Sequence, residues 1–116
     1  MVVDLIQTPT TNNRQPTTYK HMLSLEIVSP EGHLFKGNVI SVTVPGVDGE
    51  FQMLNHHANI VAILAKGNIK IAVPDFKANA AFSERFTKSD KDQKFLMPIT
   101  SGTLELNDNK IIILVD

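Results

Sequence analysis

The sequence predicts an all-β domain, a β-sandwich or barrel, and three observations carry that expectation. Apolar residues recur with period two in four separate runs, turn-forming residues punctuate the gaps at short intervals, and the chain closes on a strand-length apolar segment. In chain order, Leu23, Leu25 and Ile27 share one face, Ile40, Val42 and Val44 a second, Ile69, Ile71 and Val73 a third, and Leu104 and Leu106 a fourth. Successive side chains of an extended chain point to opposite sides, so each run is expected to bury one face and wet the other. The gaps hold Pro30-Glu31-Gly32, Lys36-Gly37-Asn38, Lys66-Gly67-Asn68, Ser101-Gly102 and Asn107-Asp108-Asn109, all read as turns. Many short strands with frequent turns are the mark of a sandwich or barrel. The last segment, Lys110 to Asp116, is apolar at both alternating positions, which predicts a central strand covered on both sides.

Composition bounds the rest. A chain of 116 residues with 42% hydrophobic residues fits one domain with a sizeable core. Its 11 basic and 12 acidic residues are interleaved and leave a net charge of -1, so no basic stripe offers itself to nucleic acid. With no cysteine, disulfides, thiolate nucleophiles and Cys-ligated zinc are excluded. No apolar run approaches the length of a membrane-spanning helix. Residues 1–21 are rich in Thr, Asn, Gln and Pro without periodicity, and are expected to form a disordered leader or a non-native N-terminal extension. The folded unit is expected to span 22–116. Within it, 75–94 is expected to be an insertion or a long hairpin, because Phe76 with Ala80 and Phe82 with Phe86 have helical spacing behind Asp75, and a mixed-charge loop from Lys88 to Lys94 follows.

The most informative stretch runs from Val44 to Ala58. Pro45-Gly46 suits the centre of a type II turn and Asp48-Gly49 a two-residue hairpin, so a compact knuckle is expected, ending in the acid Glu50 and braced by Phe51, Met53 and Leu54. Asp48 is explained by turn chemistry, which leaves Glu50 standing alone. A strand then leads to His56 and His57, whose side chains should diverge in extended chain and so fail to share a metal. For His57 a hydrogen-bonded strand-end histidine and an interface residue both remain open.

No catalytic pattern is found. The six glycines are scattered as single turn residues with no phosphate-binding spacing, and Ser29, Ser41 and Ser101 lack a nucleophile-elbow context. No catalytic, cofactor-binding or metal-binding residue is assigned.

Taken together, Leu25 to Gly37, Val42 to Phe51, Leu54 and His57-Ala58 resemble, in order and spacing, the N-terminal domain of the epsilon subunit of F-type ATP synthase, called delta in mitochondria. The ending from Ser101 through Leu106 to Asp116 resembles that family's Gly-Gly-x-x-Glu-Val segment and closing strand. Gln52 stands where the family usually has Gly, Asn55 and Asn59 where Pro is common, and Ser101 replaces the first Gly of the pair.

The resemblance implies a flattened β-sandwich of about ten strands, with Met22 as the natural start and without the family's C-terminal helical hairpin. It implies a non-catalytic rotor subunit of the central stalk with no cofactor, peripheral on the cytoplasmic side of the bacterial plasma membrane. One face would meet the gamma subunit and the turn loops would meet the c-ring, with the alpha/beta hexamer reached indirectly. Carried over residue by residue, Pro45, Gly46, Asp48, Gly49 and Glu50 are expected at the c-ring, and Ser29 and His57 on the gamma-facing side. The alternative is a free-standing β-sandwich binding module, which would need an aromatic platform; the chain has no Trp, and Tyr19 is its single Tyr.

Overall fold

A computed structural model describes residues 22–74 and 84–116. The expectations for 1–21 lie outside the described residues, as does most of the 75–86 segment with helical spacing, of which only 84–86 are described, in a turn and not a helix.

The described chain is all strand: β1 Leu23–Ser29, β2 Gly32–Val39, β3 Ser41–Gly46, β4 Gly49–Leu54, β5 Ile60–Leu64, β6 Gly67–Ala72, β7 Thr87–Ser89, β8 Lys94–Ile99, β9 Gly102–Asn107 and β10 Lys110–Val115. Hydrogen bonds join all ten into one continuous sheet in the order β2-β1-β10-β9-β5-β3-β6-β8-β7, with β4 on β3. Among these strands only β1 and β10 pair in parallel; the other ladders are antiparallel. The sheet folds over on itself because β5–β6 and β8–β9 cross from one layer to the other. β5 pairs β9 in the first layer, β6 pairs β8 in the second, and Leu64 still touches Gly46 at the junction. Lys66-Gly67-Asn68 is therefore a sheet corner and not a hairpin turn. Gly67 is required there, since an added Cβ would lie 2.6 Å from Cβ of Pro45.

Both layers turn their inward rows into one core. Leu25, Ile27, Leu104, Leu106, Ile111 and Ile113 come from the first layer, and Val42, Val44, Met53, Ile69, Ile71, Phe95 and Met97 from the second. Phe35 of β2 meets Phe86 with ring centroids 6.2 Å apart. Three of the four period-two runs bury the expected face. The second run departs at its first residue: Val42 and Val44 are buried, but Ile40 is exposed at the β2–β3 crossing, Val39 is buried in its place, and Ser41 to Val44 are buried throughout. β3 is flanked by β4 on one side and by β6 on the other, and even its polar Ser41 and Thr43 are buried.

Other local expectations are corrected. Lys36-Gly37-Asn38 lies inside β2, because pairing with β1 continues through it. The mixed-charge segment contains β7 and a short turn into β8, so Lys88 and Ser89 form strand pairs with Phe95 and Lys94. β10 buries Ile111, Ile113 and Val115 but leaves Ile112 and Leu114 exposed, so the described residues cover one of its faces and not both.

Candidate docking surface

The segment Pro45 to Glu50 forms one hairpin. Pro45 and Gly46 belong to β3, paired with Glu50 and Gly49 of β4, so the two-residue turn is Val47-Asp48. The expected pair of tight turns is corrected: tertiary partners extend β3 through Pro45-Gly46, since the carbonyl of Pro45 accepts from the Ala65 N–H at 2.7 Å and Val47 N–H donates to the Ile63 carbonyl at 3.0 Å. The positive φ of the hairpin falls on Gly49, at 132°. Gly46 is needed for a different reason, because a Cβ there would lie 2.8 Å from the Gly49 carbonyl oxygen and 2.9 Å from the Phe51 ring. Gly46→Ala is accordingly expected to cost about 1–3 kcal/mol through overpacking, seen as a lower urea midpoint.

Asp48 and Glu50 are exposed, and Glu50 is not alone. Its carboxylate pairs with Nζ of Lys70 on β6 at 3.1 Å, so the acid leans back across β3 while about half of its side chain stays in solvent. Ser29, at the end of β1, is buried; its Oγ donates to the Gly32 carbonyl and accepts from the Glu31 N–H, both at 3.3 Å. That side chain closes the β1–β2 turn.

The strand β4 ends at Leu54, and His56 and His57 follow in a turn. His56 adopts φ 67°, so the pair is not extended, and both line one hollow with Asn59, Asp108 and Asn109. Divergence of the two rings thus cannot be argued from an extended backbone. Among the described residues, no group of three or more His, Asp or Glu converges as a metal site. His57 Nδ1 lies 2.7 Å from the Ala58 carbonyl and its N–H donates to the Leu54 carbonyl at 3.1 Å. Ser29 and His57 flank the first layer at opposite ends: Ser29 follows the β1 residues paired with the end of β10, while His57 sits by the turn where β10 begins.

Between them lies a surface that the sequence concealed. On the outer face of the first layer, strand pairing aligns Ile112 with Glu105 and Val61, and Leu114 with Thr103 and Ile63. Val61 is 77% and Ile63 63% exposed, which is unusual for residues in mid-strand. Val47, 57% exposed, extends this apolar stripe onto the hairpin through its bond to Ile63. The signal in the sequence was continuous apolarity in 60–64 and 111–115, which implies two covered faces. Among the described residues only one cover is supplied, and a cluster of exposed apolar side chains, here set on either side of Thr103 and Glu105, marks a candidate interaction site.

A family model described as the ATP synthase delta/epsilon chain β-sandwich domain matches residues 22–84, more than half of the chain. The ATP synthase epsilon chain of a Nitratiruptor species is 53% identical over 55 residues, covering 47% of this chain and 43% of that one. The epsilon chain of Sulfurimonas denitrificans is 33% identical over 94 residues, covering 81% and 60%. The chain spans about half the length of the curated relatives it matches. Among solved structures, a chain of the Euglena gracilis mitochondrial ATP synthase, OSCP/F1/c-ring, superposes with a TM-score of 0.62 at 18% identity, covering 81% of this chain and 50% of that one. A chain of the Tetrahymena thermophila mitochondrial ATP synthase central stalk and c-ring gives 0.53 at 20% identity, covering 79% and 61%. At these identities the likeness is one of fold.

Proposed function

Because the chain belongs to the ATP synthase delta/epsilon family through its β-sandwich domain, we propose that it is a non-catalytic central-stalk subunit of an F-type, proton-translocating ATP synthase. In that role it couples rotation of the c-ring to the catalytic alpha/beta hexamer through the gamma subunit. It is held peripherally at the cytoplasmic side of the bacterial plasma membrane by the complex. The observation that supports this best is the exposed apolar stripe of Val61, Ile63, Ile112 and Leu114, continuous with the hairpin tip at Val47. A torque-bearing body needs a stiff core and two adjoining interfaces, and a close-packed sandwich with its hydrogen bonds satisfied along the ladders is stiff.

The stripe is assigned to the gamma subunit, with Ser29 and His57 at its two ends. Ser29 acts there by shaping the β1–β2 turn, since its side chain is buried. The hairpin Pro45, Gly46, Asp48, Gly49 and Glu50 is assigned to the c-ring loops. Association with the gamma subunit from the same source, followed by co-purification and calorimetry, tests the reading; tight one-to-one binding is expected, and absence of binding overturns it. A protein starting at Met22 should bind equally well.

Glu50→Ala is expected to weaken sedimentation with detergent-solubilised c-ring while changing stability by about 0.5 kcal/mol or less, because an exposed ion pair contributes little. Lys70→Ala removes the same pair but keeps the carboxylate, and should retain most of the docking. Equal losses of docking and of melting temperature for Glu50→Ala would count against the assignment.

A further inference from the structure

Three asparagines tie the His56–His57 corner to the β9–β10 turn, about fifty residues away in sequence. Asn109 uses both ends of its amide. Its Oδ1 accepts from the His56 N–H at 2.8 Å, and its Nδ2 donates to Oδ1 of Asn55 at 2.8 Å. Asn59 closes the other side, its Oδ1 accepting from the Asp108 N–H at 3.0 Å. The backbone so held is unusual. His56, Asp108 and Asn109 have φ of 67°, 50° and 64°, a region that Asn and Asp tolerate and that other non-glycine residues keep only when their surroundings impose it.

None of the residues from Asn55 to Asn59 belongs to the hydrophobic core, so packing does not set the shape of this loop. Besides the local contacts of His57 with the Leu54 and Ala58 carbonyls, three side-chain bonds across to the turn define it. The bonds to His56 and Asp108 lie at the surface, and the third, from Asn109 to Asn55, is partly buried.

We infer that Asn55, Asn59 and Asn109 are positioning residues that hold the His56–His57 corner in its binding shape before the gamma subunit arrives. This rests on the gamma-facing assignment of His57. A loop fixed in advance loses less conformational freedom on docking, so its partner binds more tightly with no contact added. The asparagines need touch nothing on the partner.

The test combines amide hydrogen exchange with calorimetric binding to the gamma subunit, on the wild-type chain and on Asn109→Gly, Asn55→Ala and Asn59→Ala. Glycine accepts the positive φ at position 109, so that variant removes the amide while leaving the turn intact. Exchange at His56 should accelerate about fivefold or more in Asn109→Gly, as expected for loss of one hydrogen bond. Exchange at Asp108 should accelerate similarly in Asn59→Ala. Affinity for the gamma subunit should fall several-fold in both, with core amides as protected as in the wild type. Asn109→Asp, which keeps an acceptor for the His56 N–H, should recover part of both losses. Unchanged exchange at His56 and Asp108, or faster exchange with undiminished affinity, overturns the inference. Should the wild type itself fail to bind the gamma subunit, the proposed function and the binding half of this inference fall together, and the exchange data still decide whether the clasp orders the corner.

Discussion

Truncation of Phe95 to alanine is expected to lower the unfolding free energy by about 3–5 kcal/mol, the usual cost of deleting a buried aromatic ring. Phe95 is fully buried at the start of β8, paired with Ile71 on one side and Lys88 on the other, and belongs to the core shared by both layers. Lys88 Nζ lies 5.9 Å from the ring centroid and caps the outer edge of the site. The cavity left by alanine cannot collapse easily, because its walls are strands fixed by ladder hydrogen bonds on both sides. Domains of this size are stable by only about 5–15 kcal/mol, so the variant should melt more than about 10 °C below the wild type. Phe95→Leu, which keeps most of the volume, should lose much less. Thermal melts and urea titrations check both. A loss under about 1 kcal/mol for the alanine variant would mean that the two layers do not close over this residue.

The second large effect is expected on association and not on folding. Placing glutamate at both Ile63 and Leu114 should weaken binding of the gamma subunit by about two orders of magnitude or more, since central apolar residues of an interface contribute about 2 kcal/mol or more each. The two side chains lie in one cross-strand row with Thr103 between them, so the double variant sets two charges in the middle of the stripe. Both positions are already more than half exposed, and the folded state should lose about 1 kcal/mol or less per substitution, mostly through strand preference. Thr87→Glu on β7, at the far edge of the other layer, is the matched control and should bind normally. Calorimetry together with melting curves separates the two effects. Retained affinity in the double variant would remove this face from the interface.

What could be seen beforehand follows from how local each signal is. Alternation at Leu23, Leu25 and Ile27 and at Ile69, Ile71 and Val73 is written into consecutive residues, and each of these side chains lies in the core. The turns at Pro30-Glu31 and Asp108-Asn109 were equally legible, because Gly32 and the Asx residues carry the positive φ that those turns require. The family was visible for the same reason, as short motifs in a fixed order. Pro45-Gly46, by contrast, has the local chemistry of a turn and yet lies in a strand. Its conformation is decided by Ala65, Ile63 and the β4 partners, none of which is evident from the dipeptide.

The candidate site divides along the same line. Glu50 and His57 could be named from motif position, but the Lys70 partner of Glu50 and the Asn109 clasp beside His57 depend on strand register between distant segments. The apolar outer stripe was the hardest to see. Apolarity at both alternating positions of the closing segment 110–116 indicated burial on two sides, and in the folded sheet the described residues supply one of the two covers. The sequence by itself determined the all-β class, most core positions and the family, because those rest on period, turn chemistry and ordered motifs. Tertiary structure alone decided which apolar face stays open and which side chains meet across the corners, because both are set by non-local pairing, in which a shift of one residue exchanges the buried and exposed faces of a strand.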